Sequence, residues 1–156
     1  DSFEGLPEAA RTDDRGYWSP RMFRSDIRMT QRFLTRAGID WARVTLVKGW
    51  FSDTLNEGLT AKHHLRKASI IMMDCDMYLS AKQALDFCAP LIRDRAIIIF
   101  DDWYSGGLDA KNLGEKRAFS EFLENGEFES ESLGRYAPNA HVFKVSRRVP
   151  SPRLAM

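Results

Sequence analysis

Hydrophobic positions in this chain follow two rhythms. Two stretches, "ASIIMMDCDMYLS" from Ala68 and "RAIIIFDDWY" from Arg95, carry uninterrupted apolar runs that end abruptly on acids. Runs of that length without alternation predict strands buried on both faces, over Ser69–Asp74 and Ala96–Asp101. Other stretches repeat every three to four residues. Ser80 is placed to cap a helix over about 81–93, with Ala84, Leu85, Cys88, Leu91 and Ile92 inward; a second, over about 114–125, turns Ala118, Phe119, Phe122 and Leu123 inward.

Upstream, Ser25 serves as the N-cap of a helix with Ile27, Phe33 and Leu34 on its apolar side, closed by Gly38. "RVTLVKGWF", Arg43 to Phe51, predicts a strand ending at Gly49, and 57–67 a short polar helix. The last third alternates, in "EFESESLGRY" and "AHVFKVS", as a closing strand pair does. Residues 4–21 form a polar, proline-containing loop long enough for function or mobility. Strands separated by helices predict an α/β fold: a mostly parallel, doubly wound sheet with a closing antiparallel pair. The length supports one domain over 1–148, with a flexible tail over 149–156.

Composition removes several classes. The formal net charge is +1 and the basic residues are scattered, which predicts no nucleic-acid partner. No apolar run reaches membrane-spanning length and no signal peptide is visible, so no membrane partner is expected. Two cysteines, Cys75 and Cys88, make neither a disulfide framework nor a metal spacing, and fit a reducing cytoplasm. No G-x-G-x-x-G or G-x-x-x-x-G-K occurs.

The acids carry the chemistry. Ligands of open α/β sheets bind at the carboxyl ends of the strands, where Asp74, Asp101 and Asp102 fall. If the two strands are neighbours, their ends lie about 5 Å apart. Three carboxylates gathered there repel unless a cation neutralises them, and a hard divalent ion such as Mg²⁺ suits them. The competing reading is that one or two of these acids cap the following helices. His63 and His64 precede a strand and belong at the sheet's opposite end; His141 has no acidic or nucleophilic companion in the sequence. Cys75 lacks a histidine to activate it and reads as a small side chain filling the strand top. Trp50 and Trp103 each follow a strand end; core packing accounts for each alone, but the pair at one edge favours the wall of a pocket for a flat ring or a sugar.

"DSFEGLP" at Asp1, "VKGWFSDTL" at Val47, "DCDMY" at Asp74 followed by "IIIFDDWY" at Ile97, and "GEKRAFSEFL" at Gly114 together resemble the macrocin O-methyltransferase family. The resemblance implies a Rossmann-like methyltransferase fold, with S-adenosylmethionine as methyl donor and Mg²⁺ as metal. It implies that Asp1 ends the fold's second strand and holds the cofactor ribose, with Ser2 and Phe3 beside it. Gly49, Trp50 and Phe51 would lie near the adenine. Asp74 would face the cofactor, and Asp74, Asp101 and Asp102 would hold the ion. The acceptor would be a hydroxyl on a small molecule, often a natural-product sugar.

Residues 4–24 contain no histidine, so the base falls to Asp102, Asp76 or a metal-bound hydroxyl. The family's first strand and glycine-containing cofactor loop would precede Asp1, so the fold is expected to be N-terminally incomplete. By this reading the 156-residue chain alone binds S-adenosylmethionine weakly or not at all and self-associates or aggregates, the complete protein being a homo-oligomer. The rival readings are a non-catalytic methyltransferase-like binding or assembly module, or a D-x-D phosphatase or glycosyltransferase, whose lysine motif has little room in the 27 residues from Asp74 to Asp101.

Overall fold

The computed structural model describes residues 1–148; the tail expected over 149–156 lies outside the described residues. The chain divides into two compact units, the first Asp1–His63 and the second from His64 onward.

In the first unit, the polar segment over residues 4–21 is folded rather than open. It makes 3₁₀ turns at Glu8–Arg11 and Asp13–Gly16 and buries Leu6, Ala10 and Trp18. Gly5 permits this: its φ is +81°, and a Cβ there would sit 2.5 Å from the Met22 carbonyl oxygen, which accepts from Leu6 N–H. Helix α1 spans Ile27–Arg36. Its N-cap is Asp26 and not Ser25, because the Asp26 carboxylate accepts from Met29 N–H at 2.9 Å. A charged oxygen at that end also complements the helix dipole. Two short helices follow, α2 at Phe51–Thr54 and α3 at Glu57–Lys62.

The strand predicted over Arg43–Phe51 does not form. Its middle makes one ladder-like contact among the described residues: the Asp1 amino group donates to Val47 O at 3.2 Å, and Asp1 O accepts from Gly49 N–H at 3.0 Å. That is the pattern of a parallel bridge around Lys48. A strand exists only with a partner, and one residue supplies too few bonds to define one.

The second unit holds a four-stranded sheet in the order β1-β2-β4-β3, with β1 at Ile70–Met73, β2 at Arg95–Phe100, β3 at Phe128–Gly134 and β4 at His141–Arg147. Among the described residues only β1 and β2 run parallel; β2/β4 and β4/β3 are antiparallel. The α/β fold and the closing antiparallel pair match the sequence pattern, whereas the mostly parallel content does not. The physical reason is that β4 docks directly against β2, so the closing hairpin makes up half of this sheet.

Helix α4 spans Tyr78–Cys88 and α5 spans Gly114–Glu124. α4 starts earlier than predicted, after the fully buried, extended Met77, so Ser80 lies inside it rather than capping it. The two helices pack on each other, and α5 lays Phe119 against Phe100 and Phe143, with Phe122 stacked on Phe128. Ile71, Met73, Ala96, Ile98, Phe100 and Val145 are buried on this face. Ile70 and Met72, on the opposite face of β1, remain exposed, so that strand is covered on one side only.

Candidate functional site

Parallel pairing sets Met73 beside Phe100, and Asp101 N–H extends the ladder by one bond to Met73 O at 3.0 Å. Asp74 and Asp101 therefore leave adjacent strands at the same end, with Asp102 one residue further. One carboxylate oxygen from each of Asp74, Asp101 and Asp102 lies within 4.8 Å of the others. This convergence is what the two apolar-run-then-acid stretches predict.

The electrostatics register the crowding. Asp74 is held above the usual carboxylate range by burial and then by the charges of Asp101 and Asp102. Asp76 is pushed up to about 7, first by burial and then by Asp102, with which it shares a hydrogen bond. Its backbone is left-handed, φ +64°, a conformation aspartate tolerates better than most residues. Burial first, then the neighbouring Glu115, pushes the Cys75 thiol well up; this is no activated nucleophile.

Three partners of the acids escaped the sequence reading. Glu115, only 1% exposed, accepts the Asp102 N–H through Oε2 at 3.1 Å, while its Oε1 has no hydrogen-bond partner among the described residues. Burial drives its carboxyl well above the usual range. Ser105 Oγ donates to Asp102 Oδ1 at 2.7 Å. The Tyr136 hydroxyl donates to Asp101 Oδ1, and that bond, with burial and carboxylate charge behind it, raises the phenol to about 12. In sequence Glu115 lies in the first turn of the helix predicted over about 114–125, and Tyr136 ends the stretch "EFESESLGRY" read as a closing strand.

His141 does have companions: Tyr104 OH at 2.7 Å from Nδ1 and Ser132 Oγ at 2.8 Å from Nε2. Burial, and then Arg135, hold it below its ordinary value. Trp103 is 8% exposed and rests among Phe100, Phe119 and Phe143, which decides it as core rather than pocket wall.

The remaining candidates lie in the first unit. Asp1 takes Phe3 N–H on Oδ1 at 2.6 Å. Ser2 is buried, its Oγ donating to Gly5 O and accepting from Glu4 N–H, both at 3.0 Å. Phe3 is buried at φ +60°. Gly49 has φ +144°, and a Cβ there would fall 2.5 Å from Thr54 Cγ2. Trp50 caps α2, and Phe51 begins it.

The α/β fold is shared with O-methyltransferases of known structure. The chain superposes on the O-methyltransferase NovP with a TM-score of 0.73 at 19% identity, covering 94% of this chain and 58% of that one. The calicheamicin methyltransferase CalS11 gives 0.66 at 20% identity, with the same 94% and 58% coverage. An O-methyltransferase from Bacillus cereus, solved with SAH, gives 0.59 at 16% identity, covering 77% of this chain and 57% of that one. At these identities the likeness shows the fold, and the chain spans under two thirds of each of these proteins.

The macrocin O-methyltransferase family model matches residues 1–122, most of the chain. The chain belongs to that family. No protein among those of curated function matches it.

Proposed function

We propose that this chain carries the carboxylate site of an O-methyltransferase that moves the methyl group of S-adenosylmethionine to a hydroxyl of a natural-product small molecule, such as a sugar, with Mg²⁺ assistance. The observation that carries the reading is the triangle of Asp74, Asp101 and Asp102 oxygens. Hard oxygens so close, with the buried Glu115 bonded to the Asp102 amide and its Oε1 unpartnered among the described residues, are a donor set suited to a hard divalent cation. Such an ion, when bound, supplies charge that polarises the acceptor oxygen.

The protein's own groups do the rest. Asp74, Asp101 and Asp102 hold the ion, and Asp76, hydrogen-bonded to Asp102, is the carboxylate left to take the acceptor's proton, with Asp102 as the other candidate base. The acceptor oxygen bonds to the methyl carbon as the carbon–sulfur bond breaks, leaving S-adenosylhomocysteine and a protonated carboxylate. Asp1, Ser2, Phe3, Gly49, Trp50 and Phe51 are assigned to the cofactor's ribose and adenine, with Asp74 also facing the cofactor. The family match spans all seven of these residues. The partners proposed are the small-molecule acceptor and a second copy of the chain, in the cytoplasm.

The experiment is a calorimetric titration of Mn²⁺ or Mg²⁺ into the wild type and into the double variant Asp74→Asn/Asp101→Asn. The reading expects saturable binding that the double variant loses. Equal affinity in both proteins would place the ion elsewhere and remove the proposal's support.

A further inference from the structure

We propose that Tyr136 is a positioning residue for this cation site, acting through Asp101; the inference rests on the cation reading above and deepens it. Tyr136 lies in the turn between β3 and β4, beyond the residues 1–122 matched by the family model. It is 52% exposed, yet its hydroxyl is bonded to Asp101 Oδ1.

The turn that delivers this hydroxyl is tethered at several points. Tyr104 N–H donates to Asn139 O at 2.9 Å. The Arg135 guanidinium lies 3.5 Å from the Tyr104 ring centroid, a cation–π contact. Tyr104 OH in turn meets His141 at the start of β4. These contacts fix the turn against the segment that follows β2, so the phenol is brought to Asp101 by backbone placement.

Ser105 does the same for Asp102, taking Oδ1. Each hydroxyl engages one oxygen of its carboxylate, and Asp102 also shares a hydrogen bond with Asp76. Without such partners, three neighbouring carboxylates relieve their repulsion by rotating apart, and that reorganisation weakens ion binding. Hydrogen-bonded supports of metal-binding carboxylates are typically worth about 10- to 100-fold in metal affinity.

The test is Mn²⁺ affinity in the full-length protein, read from the electron paramagnetic resonance of the free ion, for wild type, Tyr136→Phe and Tyr136→Ala. Thermal unfolding is followed alongside. The inference expects both variants to bind Mn²⁺ about 10-fold more weakly. Tyr136→Phe should do so with an unchanged unfolding midpoint, since it loses only a hydroxyl from an exposed ring. Wild-type or tighter affinity in Tyr136→Phe overturns it. So does a loss confined to Tyr136→Ala, which would assign the effect to the ring's packing. Failure of the underlying reading looks different: wild type shows no Mn²⁺ binding, or binding that Asp74→Asn/Asp101→Asn leaves intact.

Discussion

Replacing Asp76 with asparagine should stabilise the ion-free protein while impairing its chemistry. The folded chain holds Asp76 near pH 7 in its titration, against an ordinary 3.8, because burial and the carboxylates of Asp102, Asp74 and Asp101 oppose its charge. Its pKa is thus raised on folding, so between these two values the folded state keeps a proton that the unfolded chain has lost. Stability therefore falls as pH rises through this window. A shift of that size corresponds to about 4 kcal/mol if fully expressed. The side chain is partly open to water and titrates together with its neighbours, so screening leaves about 2 kcal/mol. Asparagine can still donate to Asp102 and tolerates the left-handed φ of +64°, so little else changes. In urea unfolding with EDTA, Asp76→Asn should gain about 2 kcal/mol over wild type at pH 8 and nothing at pH 3.5. Excess Mg²⁺ should shrink the gain by neutralising the cluster in the wild type. A variant no more stable than wild type at pH 8, or equally stabilised at both pH values, would refute the reasoning.

Other substitutions test the frame. Gly49→Ala places a Cβ 2.5 Å from Thr54 Cγ2 at φ +144°, and should cost about 1–3 kcal/mol in thermal unfolding. Asp26→Ala removes the side chain that caps α1 and should cost about 1 kcal/mol, seen as reduced helicity by circular dichroism. Phe119→Ala, at the junction of the Phe100, Phe122 and Phe143 rings, should cost about 3–5 kcal/mol in denaturant. His63→Gln/His64→Gln should leave turnover of the complete enzyme within a few-fold, because His64 precedes β1 while the acids follow it; a loss of several hundred-fold with the fold intact would reject that placement.

The portions of the fold that the sequence discloses are those whose neighbours are close in the chain or whose pattern is unambiguous. Helix α5 is readable because Ala118, Phe119 and Phe122 recur at helical spacing, and all three are buried. β1 and β2 are readable as apolar runs, and their parallel pairing follows from the single intervening helix. That pairing alone brings Asp74 to Asp101. Arg43–Phe51 shows the limit of such reasoning. "RVTLV" has strand character, but a strand's identity depends on a neighbour that local pattern cannot supply. The parallel content failed for a related reason: alternation announces the β3/β4 hairpin but not that β4 docks on β2.

The same asymmetry runs through the candidate site. Its carboxylates are local signals at strand ends, whereas their supports arrive from elsewhere: Glu115 is 13 residues from Asp102, and Tyr136 is 35 residues from Asp101. Neither support has a sequence signature, since an acid in a helix's first turn and a tyrosine in a polar turn are each commonplace. What distinguishes Glu115 is its burial with one orphaned oxygen, and what distinguishes Tyr136 is its reach from an exposed turn to a crowded acid. Neighbouring carboxylates repel one another, and burial together with that repulsion holds Asp74 and Asp76 above the usual carboxylate range. A chain that keeps the cluster must hold the acids together by other groups, and the hydroxyls of Ser105 and Tyr136, with the Glu115 carboxyl on the Asp102 amide, are the groups that touch them. The placement of these acids therefore depends on groups outside the strands that bear them, Tyr136 of the closing hairpin among them.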